Sequence, residues 1–194
     1  MKLIGITGKT GTGKSTTATT LAQKLDGQYV DIDKIGHQAT SDPIIAKKLC
    51  NVFGNELLDS NGIINRKKLG NIVFSDTDKM QILTDITWGY MEQELDRILL
   101  QKQQCFIFDW ALLPKVKFWD MCDIKILVTS DDTVRKERIL ARDYISEDYL
   151  EKRESATLDY SKLSFDFIFY NDYTKESMNT FAETIYSKII KENS

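Results

Sequence analysis

The residues with the clearest chemistry are Gly8-Lys9-Thr10-Gly11-Thr12-Gly13-Lys14-Ser15, which satisfy G-x-x-x-x-G-K-[ST] in full. Glycines let a backbone curl until successive N–H groups converge on phosphate oxygens. A helix beginning behind such a turn adds a field that favours anions. Lys14 is expected to reach the β- and γ-phosphates of a nucleotide, and Ser15 to offer its hydroxyl to Mg2+. Thr7, Gly8, Gly11, Thr12, Gly13 and Thr16 complete the expected nucleotide-binding set. The alternative is a Gly-rich turn that only caps a helix. An apolar strand before the motif and a helical pattern after it favour the nucleotide site.

Carboxylates and guanidiniums supply the second tier. Asp31 and Asp33 follow the short apolar run that begins at Gln28, at the strand edge where open parallel sheets bind ligands. Asp33 is read as the base for a substrate hydroxyl, with Asp31 as helper or helix cap; a plain cap near Lys34 is the alternative for either. Asp109 ends the run Phe106-Ile107-Phe108, a Walker-B-like placement suited to Mg2+; a loop-starting Asp is the alternative. Arg135, Arg138 and Arg142 share a helix face. Arg138 and Arg142 suit the charge of a transferring phosphoryl group, whereas Arg135 is expected on a solvated face. The single histidine, His37, has no partner constellation for a metal or a triad.

These groups need elements to hold them. Residues 2–7, 28–33, 105–109, 124–130 and 166–172 read as five short buried strands with helices between them, an α/β doubly wound pattern. Helices are expected at about 14–25, 133–142 and 175–190. The roughly 70 residues between the second and third strands exceed one crossover. They read as an inserted helical lobe with helices near 42–53, 66–74 and 78–100. The expected organisation is therefore a phosphate-loop core (1–40, 101–137 and 164–194), a helical acceptor-binding lobe (about 41–100) and a lid (about 138–163).

Composition narrows the classes. Lys and Arg number 26 against 29 acids, a net charge of −3, so a broad nucleic-acid surface is not expected. No apolar run approaches membrane-span length, and Leu3–Ile6 is too short for a signal-peptide core. Three cysteines without C-x-x-C spacing suggest neither a disulfide framework nor a zinc site. A cytoplasmic protein, favoured as a monomer, is the expectation. A GTPase would need an N-K-x-D reader where Thr129-Ser130-Asp131-Asp132 stands, and the D-x-x-G matches at Asp33 and Asp59 do not supply one.

Taken in order, the blocks resemble the dephospho-coenzyme A kinase family over nearly the whole chain. The resemblance rests on Ile4–Gly8 with Gly11–Thr16, Asp31-Ile32-Asp33, Asp59–Arg66 with Leu69 and Val73-Phe74, and Asp109–Leu113. Arg138, Arg142-Asp143, Ile145-Ser146, Arg153 and Asp166–Asn171 extend it. It implies a P-loop kinase with a five-stranded parallel sheet that uses ATP and Mg2+. It further implies phosphorylation of the ribose 3′-hydroxyl of dephospho-CoA, the last step of CoA synthesis. Asp33 would be the base, Lys14 and Arg142 the other catalytic groups, Arg138 a nucleotide contact, and Ser15 and Asp109 the metal side chains. The chain departs from the family pattern at Lys9, Gly36-His37, Trp88-Gly89, Ala111, Lys115 and Thr157. Several of these would line the acceptor site, so a kinase of another small hydroxyl acceptor, such as a nucleoside or nucleotide, is a rival reading. A nucleotide-binding regulator without transfer chemistry is the other.

Overall fold

From Leu3 onward every residue of β1 (Lys2–Thr7) is buried, because both faces of this strand are covered. The structure is a computed structural model and describes residues 1–74, 76–155 and 158–192. The other strands are β2 (Gln28–Asp31), β3 (Cys105–Asp109), β4 (Ile124–Thr129) and β5 (Phe167–Tyr170). They form one parallel sheet in the order β2-β3-β1-β4-β5. β1 lies at its centre, so the loop that follows β1 emerges where the strand order reverses, the usual ligand edge of such sheets.

The helices are α1 (Lys14–Leu25), α2 (Ile32–Ala39), α3 (Pro43–Phe53), α4 (Arg66–Val73), α5 (Thr77–Leu99), α6 (Lys117–Asp120), α7 (Asp132–Asp143), α8 (Glu147–Ser155) and α9 (Lys175–Glu192). The chain divides into two compact units. The sheet unit comprises Met1–Asp31, Lys102–Glu147 and Thr157–Ser194, and the helical unit Ile32–Gln101 and Asp148–Ala156.

In the sheet unit, Ile4, Ile6, Ile107, Ile126 and Val128 pack against Leu21 of α1 and Met178, Ala182 and Ile185 of α9. Burial of each of these side chains apart from Ala182 contributes about 1.5–3 kcal/mol. On the opposite face the backbone of β1 comes very close to its cover. A Cβ at Gly5 would stand 2.7 Å from Cys122 Sγ and 3.1 Å from the Trp119 ring. Trp110 and Trp119 are both buried in the core.

In the helical unit, α2, α3 and α4 pack on the long α5, whose Met91 and Leu95 are buried with Ile35, Leu49 and Leu69. Asp76 caps α5 by accepting from the amides of Asp78 and Lys79. Gly89 is exposed inside this helix and does not break it. The Tyr149 ring of α8 meets the Phe74 ring edge-on at 6.2 Å, so α8 packs with α4. The stretch 138–163 thus divides between the two units, and α2 belongs with the helical one. The Arg153 side chain and Thr157 lie outside the described residues. Among the described residues, no helix is long and apolar enough to cross a membrane.

Candidate active site

The loop between β1 and α1 has four successive carbonyls, and each receives a side-chain donor. Lys14 Nζ and Thr12 Oγ1 donate to the Lys9 carbonyl at 3.1 and 2.9 Å. Arg135 NH1 donates to Thr10 O at 3.0 Å, and the Tyr173 hydroxyl to Gly11 O at 3.1 Å. Asn171 Nδ2 donates to Thr12 O at 2.8 Å. Across a planar trans peptide the N–H points opposite to its carbonyl. Bracing the carbonyls therefore turns amides such as those of Thr10, Gly11 and Gly13 the other way, into an anion-binding nest.

Glycine is required at two of these positions by both strain and space. Gly8 has φ 143°, and a Cβ there would lie 2.2 Å from Val128 O. Gly13 has φ 92° and caps α1 without a side-chain hydrogen bond. Lys9, where the family pattern has glycine, is not among the residues with positive φ, so a side chain fits there unstrained. Its ammonium is 3.6 Å from Asp132, a half-exposed pair worth little. Thr7 is buried and donates to Ala111 O at 3.0 Å; the Tyr160 hydroxyl donates to the same carbonyl at 2.9 Å. Residue 111 thus contributes its backbone, which alanine supplies. Lys14 is buried at 9% exposure, while Ser15 and Thr16 are exposed at the start of α1.

Ser15 and Asp109 come together across the edge of the sheet. Ser15 Oγ donates to Asp109 Oδ2 at 2.6 Å, and the Tyr29 hydroxyl donates to the same oxygen at 3.2 Å. Burial, reinforced by the Asp109 charge, pushes the Tyr29 pKa far up, so its phenol stays a donor. A hydroxyl and a carboxylate are hard oxygen ligands, the set that holds Mg2+ together with substrate phosphates. The donors therefore suit that ion. Asp31 lies in register with Asp109, which sets acids on two adjacent strand ends.

The three helix arginines of α7 have different surroundings. Arg135 corrects the sequence expectation of a solvated face. It is 1% exposed, forks onto Asp132 Oδ1 through Nε and NH2 at 3.0 and 2.7 Å, and reaches the loop with NH1. That contact holds Asp132 below the usual carboxylate range. Arg138 is exposed, with its guanidinium 4.2 Å from the Tyr173 ring centre, a cation–π contact. Arg142 is exposed and forks onto its neighbour Asp143 at 2.6 and 3.0 Å.

A cleft of about 330 Å3 beside the loop is lined by Lys9, Thr12, Ser130 and Arg135 with Asp159 and Tyr160. Asp33 is in the other unit. It is exposed in the first turn of α2, which begins at Ile32 rather than near Lys34. It is therefore a first-turn carboxylate and not the cap.

Sequence reasoning missed Tyr29, Tyr173 and the bracing by Arg135. Only Asn171 had a signal, its place after the last strand. Tyr29 sits in a short run with no motif, and Tyr173 is a half-buried residue at φ 65° beyond the last strand.

The dephospho-CoA kinase family model matches residues 2–176. A dephospho-CoA kinase of Fusobacterium nucleatum is 35% identical over 151 residues, covering 77% of this chain and 78% of the relative. One from Aquifex aeolicus is 32% identical and covers 98% of this chain and 95% of the relative. The solved structure of a dephospho-CoA kinase from Campylobacter jejuni superposes with a TM-score of 0.60 at 23% identity, with 97% of each chain covered, which supports the fold. With a braced phosphate loop on a five-stranded parallel sheet and a family match over nearly its whole length, the chain belongs to the dephospho-CoA kinase family.

Proposed function

We propose that the protein transfers the γ-phosphoryl group of ATP to the ribose 3′-hydroxyl of dephospho-CoA, giving CoA and ADP. Membership of the family supports the reaction. The observation that carries the residue roles is the phosphate loop with all four carbonyls braced, beside the Ser15–Asp109 pair.

The loop amides from Gly11 to Thr16 and the Lys14 ammonium bind the triphosphate. Thr7 and Thr12 hold the loop in shape through their own hydrogen bonds. Ser15 and Asp109 would hold Mg2+, which would supply positive charge against the phosphates. Asp33 accepts the proton of the acceptor hydroxyl as the new O–P bond forms and the bond to the ADP oxygen breaks. Arg142, with Arg138 on the nucleotide side, offsets charge on the transferring group. To reach substrate, Arg142 would exchange the Asp143 carboxylate for the transferring phosphoryl group.

Net charge −3 supports a small-molecule substrate over nucleic acid, and the protein is read as a cytoplasmic monomer. The test is ADP release from ATP and Mg2+ against a panel of acceptors: dephospho-CoA, adenosine, AMP and none. Release that depends on dephospho-CoA supports the reading. Release with adenosine or AMP alone reassigns the acceptor. ATP binding without turnover on any acceptor identifies a regulator.

A further inference from the structure

Tyr173 is held in a conformation that its residue type does not favour. Its φ is 65°, in the left-handed region, where a bulky aromatic is an outlier and glycine is at ease. The Asn171 side chain accounts for the bend, since its Oδ1 accepts from the Tyr173 amide at 2.9 Å. It does not account for the ring. A bulky residue persists at such a φ only where its surroundings fix it.

The partners of the Tyr173 side chain all lie within the sheet unit. A phenol has one proton and a carbonyl can only accept. The hydroxyl therefore donates to Gly11 O at 3.1 Å and accepts from Ser130 Oγ, just beyond β4, at 2.8 Å. The Arg138 guanidinium stands 4.2 Å from the ring centre. Among the described residues, that ring is the one partner that exposed Arg138 has through a hydrogen bond, ion pair or ring contact. The phosphate loop, the end of β4 and α7 thus meet at a single strained side chain.

We infer that Tyr173 is a positioning residue for the nucleotide: it ties Arg138 to the phosphate loop, so the guanidinium is set before the nucleotide arrives. The inference rests on the reading of Arg138 as a nucleotide contact. An unheld arginine loses rotamer freedom when it grips a ligand, and a ring that already holds the guanidinium removes part of that loss. Since a ring contact uses none of the guanidinium N–H groups, they are left for the ligand. The hydroxyl that fixes the ring also braces Gly11 O, so the position of Arg138 and the shape of the loop are set together.

The test is calorimetric titration of the full-length protein with ADP and Mg2+, which needs neither acceptor nor turnover. Tyr173→Phe removes the hydroxyl and keeps the ring. Tyr173→Asn removes the ring as well and suits the left-handed φ. The step from the Phe to the Asn variant isolates the ring, and it is expected to raise Kd for ADP about threefold to tenfold. In an Arg138→Met background the same step should change Kd by less than about twofold, because its route to the nucleotide is gone. A ring that only supports the fold would give equal steps in both backgrounds; that result, or no step in either, overturns the inference. Tyr173→Gly, which takes the same φ without strain, repeats the measurement with a second replacement, and thermal unfolding checks that each variant is folded. If Arg138→Met alone leaves ADP affinity unchanged, the reading of Arg138 fails and this inference with it, while the phosphoryl transfer is judged separately by its products.

Discussion

Asn171 Nδ2 stands 2.8 Å from the carbonyl of Thr12, and a Cβ on Gly13 would stand 2.2 Å from that same nitrogen. The last strand of the sheet therefore holds the phosphate loop through one buried amide, and Gly13 is required to make room for it. Asn171 Oδ1 accepts from the Tyr173 amide at 2.9 Å, so both ends of the side chain are committed. Asn171→Ala should leave the Thr12 carbonyl without its donor and cost about 1–3 kcal/mol of stability. It should also raise KM for ATP. Thermal unfolding and ATP kinetics check both. Normal ATP kinetics in a folded variant would show that the brace is dispensable.

Arg135 offers a sharper contrast. Its planar fork makes three donations, two to Asp132 and one to Thr10 O. An ammonium cannot reproduce that geometry. Arg135→Lys should therefore behave like Arg135→Met, each losing roughly 2–4 kcal/mol and weakening ATP binding. Denaturant unfolding with and without ATP would read both effects. A fully stable Lys variant would contradict the account.

The Ser15–Asp109 pair predicts a metal phenotype. Asp109→Asn keeps an oxygen near Ser15 and removes the charge. The Mg2+ concentration that gives half-maximal rate should rise about tenfold or more, with kcat falling. Rate measurements across Mg2+ concentration at fixed ATP decide this. An unshifted Mg2+ dependence would make Asp109 a structural anchor for Ser15 and Tyr29 only.

Alkaline pH should destabilise the protein through its buried thiols. Burial pushes the Cys105 thiol up to about 11 and the Cys122 thiol up to about 12, from an ordinary value of 9.0. The folded state thus keeps protons that the unfolded chain releases. Their stabilising effect is whole below pH 9 and is lost as pH rises toward 11 and 12, by at most about 1.4 kcal/mol per pH unit for each thiol. Melting temperatures between pH 8 and 11 should fall. At pH 8, iodoacetamide should label Cys50, the half-buried thiol, well before the other two. Rapid native labelling of Cys105 or Cys122 would contradict this.

The parts of the fold that follow periodicity were legible in the residues. The helix over 14–25 and the strand over 105–109 lie where the apolar pattern puts them, and Gly89 leaves α5 continuous. The phosphate loop was legible because backbone geometry restricts it to glycine at set spacing. Its bracing was not, since Arg135, Asn171 and Tyr173 reach it from 125 to 162 residues away. A helix-face pattern shows Arg135 as one of several arginines. Only packing shows that it is buried. The start of α2 at Ile32 was hidden for a related reason: Asp31 and Asp33 both suit a helix beginning, and the residue types alone do not choose between them.

The most direct test of the central claim is product analysis for the wild type and Asp33→Asn, with ATP, Mg2+ and dephospho-CoA. The wild type should yield ADP and an equal amount of CoA, identified by mass and by a new 3′-phosphate in the phosphorus NMR spectrum. Asp33→Asn should lose turnover about a hundredfold or more while binding ATP nearly as well as the wild type. ADP release without CoA, or equal loss of ATP affinity and turnover in the variant, would contradict the account.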